Sequence, residues 1–407
     1  MSIRSVFFKT QMRRSIGLIV LLLTALVAVT QGIFPHYPRW HGFDLQHYHE
    51  ISLFIRQGLV PYRDFMLEYP PGSSIPIFLP QLFSLNAPLD SIDYAVGFVA
   101  QNILFTAFVA WGLAAVATRR NTTLLKYALL VVAISPLLPW RYDMFPTLLT
   151  SIGLWGAVSG FPVISGIALG SGIAAKLYPV VLVPIFFLYY IASRRLQDAV
   201  TLAIASISTT IFIFIPFWWL APDNFFSFLI YHKDRGLQIE SVYAGIVSLG
   251  DVLGLTEASS EMSYGAQHLI STLSEPLLKL QPFLFVSVMV LVYSLAWLRF
   301  RQMSRFGEIT PETLATYCVA ALLGFILTSK VFSPQYLIWL LPFLPLLCWR
   351  VVAVAAISFG LTTTVSFVTQ KLRLMYPPSV ILLNFRNFLL FLIFVKLLIY
   401  KFHDRKL

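Results

Sequence analysis

Charge is what this sequence has least of. Asp, Glu, Lys and Arg make up 12% of its 407 residues, where a soluble globular chain carries roughly 25%. That excludes a fold solvated mainly by water. Cysteine is almost absent: Cys318 and Cys348 are the two, both inside apolar runs, so there is no disulfide framework. No Asp-x-Asp motif, low-complexity tract, linker or clear internal repeat is present, and no segment reads as a soluble domain. What remains is apolar. Hydrophobic residues are 58% of the chain and the mean hydropathy is +0.78, the composition of a protein whose main solvent is lipid.

Apolar runs near the length of a helical span, roughly 17–25 residues, recur to the C-terminus. They place spans near 15–33, 94–117, 124–139, 144–159, 163–175, 179–193, 199–220, 282–298, 312–329, 334–348, 351–369 and 382–400. The predicted fold class is an all-α polytopic membrane protein of about 12 transmembrane helices, a single unit over 1–407 with both termini on one side. The first run follows Arg4, Lys9, Arg13 and Arg14 like a signal peptide, but its length and the many spans after it favour a retained helix.

The net charge of +11 raises nucleic acid as a partner, but its distribution argues against it. Arg119, Arg120, Lys126, Arg194, Arg195, Arg299, Arg301, Arg305, Arg350 and the basic termini all fall on one side of the predicted spans. The positive-inside rule makes that side cytoplasmic. Of the 18 acids, only Asp198, Glu308, Glu312 and Asp404 share it. The long loops, about 34–93 and 221–281, lie on the other side, and chemistry is expected there, on the outer face of an inner membrane.

The first loop opens with "FDLQHYHEISLFIRQG". Leu45, Tyr48, Ile51, Phe54 and Ile55 keep near-helical spacing, with Ser52 the exception, and Gly58 and Pro61 end it. This predicts an amphipathic helix at the membrane surface. Asp44 stands at its start, as an N-cap or as a functional acid. The next stretch, "GLVPYRDFMLEYPPG", gathers Arg63, Asp64, Glu68 and Tyr69 among prolines. Asp64 and Glu68, four apart, would share a helical face. His36, His41, His47 and His49 crowd this loop. His47 and His49 are two apart and lack the i,i+4 spacing of a helical metal pair. No metal or cofactor is expected.

The second loop contributes "YHKDRGLQIES", with His232, Lys233, Asp234, Arg235 and Glu240, readable as a solvated loop with an Arg235–Glu240 pair. Lys176 in "AAKLYPVVLVP" and Lys330 in "TSKVFSPQYLIWLLP" interrupt apolar sequence at outer span ends. A charge there points to function, although both can snorkel to the interface.

These blocks, with "RYDMFPTLLTSIGLW", run in order from about 43 to 342 and together resemble the polyprenol-phosphate-mannose-dependent α-mannosyltransferases of the C-superfamily of integral-membrane glycosyltransferases. The resemblance implies a polytopic helical fold, a catalytic carboxylate in the first outer loop and a lipid-linked sugar donor. Asp44 matches the acid best; Asp64 is second, and Glu68 completes the catalytic candidates. Arg235, Lys330 and Lys176 would hold the phosphate of the polyprenyl-phosphate sugar. Arg63, Tyr69, His232, Glu240 and Gln335 join them as substrate-binding candidates. The expected partners are that donor, a lipid or glycan acceptor and membrane lipids. The rival readings are a flippase for lipid-linked sugars, which would carry charges deep within broken spans, and a polysaccharide polymerase or ligase.

Overall fold

Proline decides which apolar runs become regular helices. The computed structural model describes residues 42–83, 92–367 and 376–399. In the first long loop lie α1 (Gly42–Arg56) and the short α2 (Ser74–Phe78). The bundle follows as α3 (Ile92–Val116), α4 (Arg120–Ile134), α5 (Met144–Val158), α6 (Pro162–Ala175), α7 (Val183–Ala192) and α8 (Leu196–Leu220). The second long loop holds α9 (Ser227–Asp234), α10 (Val242–Val252), and strands β1 (Ser259–Ser263) and β2 (Ala266–Ile270). The chain closes with α11 (Ser274–Phe306), α12 (Pro311–Thr328), α13 (Trp349–Phe367) and α14 (Pro377–Ile399).

Among the described residues, α3, α8, α11, α12 and α14 are long and apolar enough to cross a membrane. At 33 residues α11 extends about 50 Å, well beyond a hydrocarbon core of roughly 30 Å. α8 and α11 present long apolar rows outward, with Phe212, Trp219 and Phe283 more than 70% exposed, a surface suited to lipid. α6 and α8 approach closely because Gly166 and Gly170 lie one turn apart. A Cβ on Gly170 would stand 2.3 Å from the Ser206 carbonyl oxygen, so only glycine fits this small-residue seam.

Three expectations are corrected. The run 334–348 is not a regular span: Pro334, Pro342 and Pro345 restrict it to 3-10 turns at Pro334–Leu340 and Leu344–Leu346. One antiparallel hairpin interrupts the helical fold, pairing Ser263 with Ala266 across Tyr264 and Gly265, both at positive φ as a two-residue turn requires. The apolar face of α1 also meets protein. Leu45, Tyr48 and Ile51 are buried in a cluster with Tyr94, Phe98, Trp140 and Tyr142. Ser52, the exception in the pattern, lies on that same buried face, where its hydroxyl donates to the His49 carbonyl and to Gln81 Oε1. The expected span 15–33, and with it His36 and His41, lies outside the described residues.

The helices alternate in direction, so their connections gather at two ends. At one end the Thr118 hydroxyl donates to Glu312 at 2.6 Å, Lys126 Nζ donates to the Leu347 carbonyl, and Gly160 lies beside Arg195. Arg119, Arg120, Arg194 and Arg350 stand in or beside the turns that meet here. At the other end Lys176 and Trp339 both reach Asp143, and Tyr243 and Gln281 both donate to the Thr328 carbonyl. The two long loops lie at this second end.

Candidate active site

A cavity of about 830 Å³ opens under the two long loops. Its lining draws on segments far apart in sequence: Asp44 and His47 from α1, Glu68 and Tyr69 from the proline turn, Arg141, Lys176, His232 and Arg235, Gln238 and Glu240, the hairpin tip, and Lys330 to Trp339.

Asp44 does not cap α1. The helix begins at Gly42, and Asp44 falls in its first turn, where the helix dipole favours a negative charge. About one third of the side chain is exposed, and its Oδ2 forms an ion pair with Arg141 Nη1 at 2.6 Å. Arg141 is largely enclosed; it stands on extended backbone between the Leu138–Trp140 turn and α5.

The stretch 60–69 is a turn and not a helix, so Asp64 and Glu68 do not share a face. Tyr62 takes φ 69°, and its amide donates to the Phe65 carbonyl. Asp64 Oδ2 accepts from the Val60 amide at 2.7 Å, and Arg63 donates to both Asp64 oxygens. Those bonds pull the Asp64 carboxyl down to about 2. Arg63 and Asp64 are exposed and do not line the cavity. Four residues on, the chain turns inward. The Tyr62 hydroxyl donates to the Tyr69 carbonyl at 2.6 Å, and Gly72 packs so tightly on α6 that a Cβ would sit 2.7 Å from the Ala174 carbonyl oxygen. Glu68 thereby meets His47, with His47 Nε2 2.8 Å from Glu68 Oε1. Burial pushes the Glu68 carboxyl up, but the His47 hydrogen bond and charge outweigh it and hold the group below its ordinary value. The same bond raises the His47 imidazole against its own burial.

Lys176 follows the last residue of α6. Its Nζ donates to Asp143 Oδ1 at 2.7 Å, and the rings of Tyr142, Trp339 and Tyr69 surround it at 4.5, 5.7 and 5.9 Å. Asp143 immediately precedes α5 and is wholly buried; Trp339 Nε1 donates to the same oxygen at 2.7 Å.

Arg235 is 8% exposed, lies 5.9 Å from the Tyr231 ring and has no partner for its Nε. It does not pair with Glu240; Glu240 keeps Oε2 without a partner, and burial pushes its carboxyl above the ordinary range. Lys330 spends two of its three donors on the backbone, reaching the Lys233 and Arg235 carbonyls at 2.6 and 2.5 Å. It therefore fixes the loop that presents Arg235. Burial, followed by the charges of Arg235 and Lys176, pushes the His232 imidazole down to about 4, so at neutral pH it offers a hydrogen bond and no charge. Gln335 also lines the wall, half-buried. His49 stacks on Tyr94, away from His47. Among the described residues no three His, Cys, Asp or Glu group as metal ligands.

The cavity joins an acid, a set of cations and aromatic walls at one end of an apolar helical bundle, the layout of an integral-membrane glycosyltransferase. The chain belongs to glycosyltransferase family 87, whose model matches residues 67–334. That range takes in Glu68, Lys176, Arg235 and Lys330; Asp44 precedes it. No curated protein matches the sequence. Among solved structures, the fold is similar to the crystal structure of ArnT from Cupriavidus metallidurans bound to undecaprenyl phosphate. The two share 17% identity and a TM-score of 0.50, over 94% of this chain and 77% of that one. The likeness supports a multi-pass helical fold, and membership of a glycosyltransferase family removes the flippase reading.

Proposed function

We propose that this glycosyltransferase moves a sugar, mannose first among the candidates, from a polyprenyl-phosphate donor to a lipid or glycan acceptor on the extracytoplasmic face, with inversion. The observation that carries this reading is the convergence of Asp44, Lys176, Arg235 and Lys330 on one cavity from four separate parts of the chain. The cavity lies at the end of the bundle opposite the basic turns, which the positive-inside rule assigns to the cytoplasm. Nucleotide sugars are not supplied on the outer side, so a membrane-tethered donor suits the site. The undecaprenyl phosphate held by ArnT is a ligand of that chemistry.

In the proposed reaction the Asp44 carboxylate accepts the proton of the acceptor hydroxyl as that oxygen attacks the anomeric carbon. The bond from that carbon to the phosphate oxygen breaks, and its electron pair leaves with the polyprenyl phosphate. A β-linked donor yields an α-linked product. Arg235, held by Lys330, and Lys176 stabilise the charge that develops on the phosphate. Glu68, fixed by His47, and Tyr69, beside Lys176, form part of the wall for the sugar or acceptor; His232, Glu240 and Gln335 supply neutral or acidic contacts to its hydroxyls. Arg63 and Asp64 brace the turn that carries Glu68.

The test is transfer from radiolabelled β-linked polyprenyl-phosphate mannose by the purified protein, with and without lipid and glycan acceptors, followed by digestion of the product with α- and β-specific mannosidases. α-Linked product is expected. β-Linked product contradicts single-step inversion, and label released only as a polymer favours the polymerase alternative.

A further inference from the structure

Asp143 stands behind the cavity and not in it. It is wholly buried and absent from the lining, whereas Lys176, 14% exposed along its side chain, is part of that lining. From the protein interior outward the order is therefore Asp143, then Lys176, then open space, with Trp339 lining the cavity beside Lys176. Asp143 Oδ1 accepts from both Trp339 and Lys176 at 2.7 Å, while Oδ2 has no partner. A buried ion pair of this kind adds little net stability compared with an apolar replacement of the same shape. Its placement, an acid directly behind a cation that faces a cavity, suits a role in the reaction better than a role as a brace.

We propose that Asp143 is a positioning residue, which keeps the Lys176 ammonium charged and aimed into the cavity without itself touching the substrate. The inference rests on the reading that Lys176 serves the donor phosphate. Burial pushes the Lys176 ammonium below the ordinary lysine value; the charge and hydrogen bond of Asp143 oppose this, Arg141 pushes it further down, and Asp44 opposes. The remaining neighbours that face it are the rings of Tyr69, Tyr142 and Trp339, with His232 across the cavity. Neutralising Asp143 removes the largest opposing charge, so the ammonium should release its proton at lower pH.

The experiment measures sugar transfer from polyprenyl-phosphate mannose by the full-length protein in lipid nanodiscs, from about pH 6 to about pH 10. Asp143→Asn keeps the shape and can still accept the Trp339 hydrogen bond. It is expected to move the alkaline limb of kcat/KM down by about one pH unit or more, with the loss expressed chiefly as a higher donor KM. In the double variant Asp143→Asn/Lys176→Arg that limb should disappear, because a guanidinium does not titrate in this range. An Asp143→Asn profile that superimposes on the wild type while Lys176→Gln is inactive overturns the inference and leaves the Lys176 reading intact. Full activity of Lys176→Gln instead overturns the underlying reading. Should Asp143→Asn not fold, Asp143→Glu, which keeps the charge but moves it by one methylene, serves in its place. A donor KM raised roughly tenfold with the alkaline limb unmoved supports positioning, and a wild-type KM overturns it.

Discussion

Two ion pairs issue from one short segment, and they face opposite ways. Arg63 and Asp64 pair with each other on the exposed side of the turn, and Asp64 also closes that turn through the Val60 amide. Glu68 lies four residues further on, yet it reaches across to His47 on α1 and lines the cavity. The difference comes from backbone and not from composition. Tyr62 at positive φ folds 60–65 back on itself, and Gly72, wedged against α6, turns 68–70 inward. A dense patch of charge marks the neighbourhood of a site; the turn decides which charges belong to it.

That contrast sets an order of effects. Asp44→Asn should cause the largest loss, roughly 10²–10⁴-fold in kcat, the usual range for a missing general base. Asp44 sits inside the first turn of α1, so no cap is lost, but both Asn and Ala leave the enclosed Arg141 without its ion-pair partner. Both should lower the melting temperature in detergent, Asn less than Ala because its amide oxygen can still accept from Arg141. Arg235→Ala comes next, at roughly 10²–10³-fold in kcat/KM, since a leaving phosphate in a low-dielectric cavity would lose a preorganised donor. Near-normal turnover by folded Arg235→Ala and Lys330→Ala would discard the phosphate site.

Glu68→Gln should lower kcat/KM by roughly tenfold, as expected when one charge-assisted hydrogen bond is lost. It also has a pH signature. His47 is raised above 6.5 in the folded state, so its contribution to stability is whole below 6.5 and fades as pH rises through the folded value. Glu68 is lowered below 4.5, so its contribution is present above 4.5 and fades as pH falls through its folded value. The stability advantage of wild type over Glu68→Gln should therefore be greatest between those limits. Melting temperatures at about pH 5.5 and about pH 8.5 measure it, and an equal gap at both refutes the pairing. Asp64→Asn should have the smallest effect, within roughly twofold in activity, since an exposed local pair contributes little.

Much of this was legible in the sequence. The helical runs, the amphipathic α1 and the separation of basic turns from acidic loops follow from hydropathy and charge, and the ordered blocks hold many of the residues that line one cavity. Three things were not. The broken run at 334–348 has the hydropathy of a span, and only its three prolines hint otherwise. The hairpin at 259–270 hides its turn in "SYGA", where Tyr264 takes a left-handed conformation that its residue type does not advertise. Arg141 and Asp143 stand out as charges in apolar sequence, but their partners, Asp44 and Lys176, are tens of residues away. Spacing along the chain says nothing about contacts of that kind.

The central claim is that Asp44, and not the more conspicuous Asp64, takes the proton in a sugar transfer from polyprenyl phosphate. Initial rates of label transfer from polyprenyl-phosphate mannose, measured side by side for wild type, Asp44→Asn and Asp64→Asn at matched folded protein, test it most directly. The account predicts transfer by wild type and Asp64→Asn at similar rates and almost none by Asp44→Asn. Loss of transfer in Asp64→Asn with Asp44→Asn still active would contradict it.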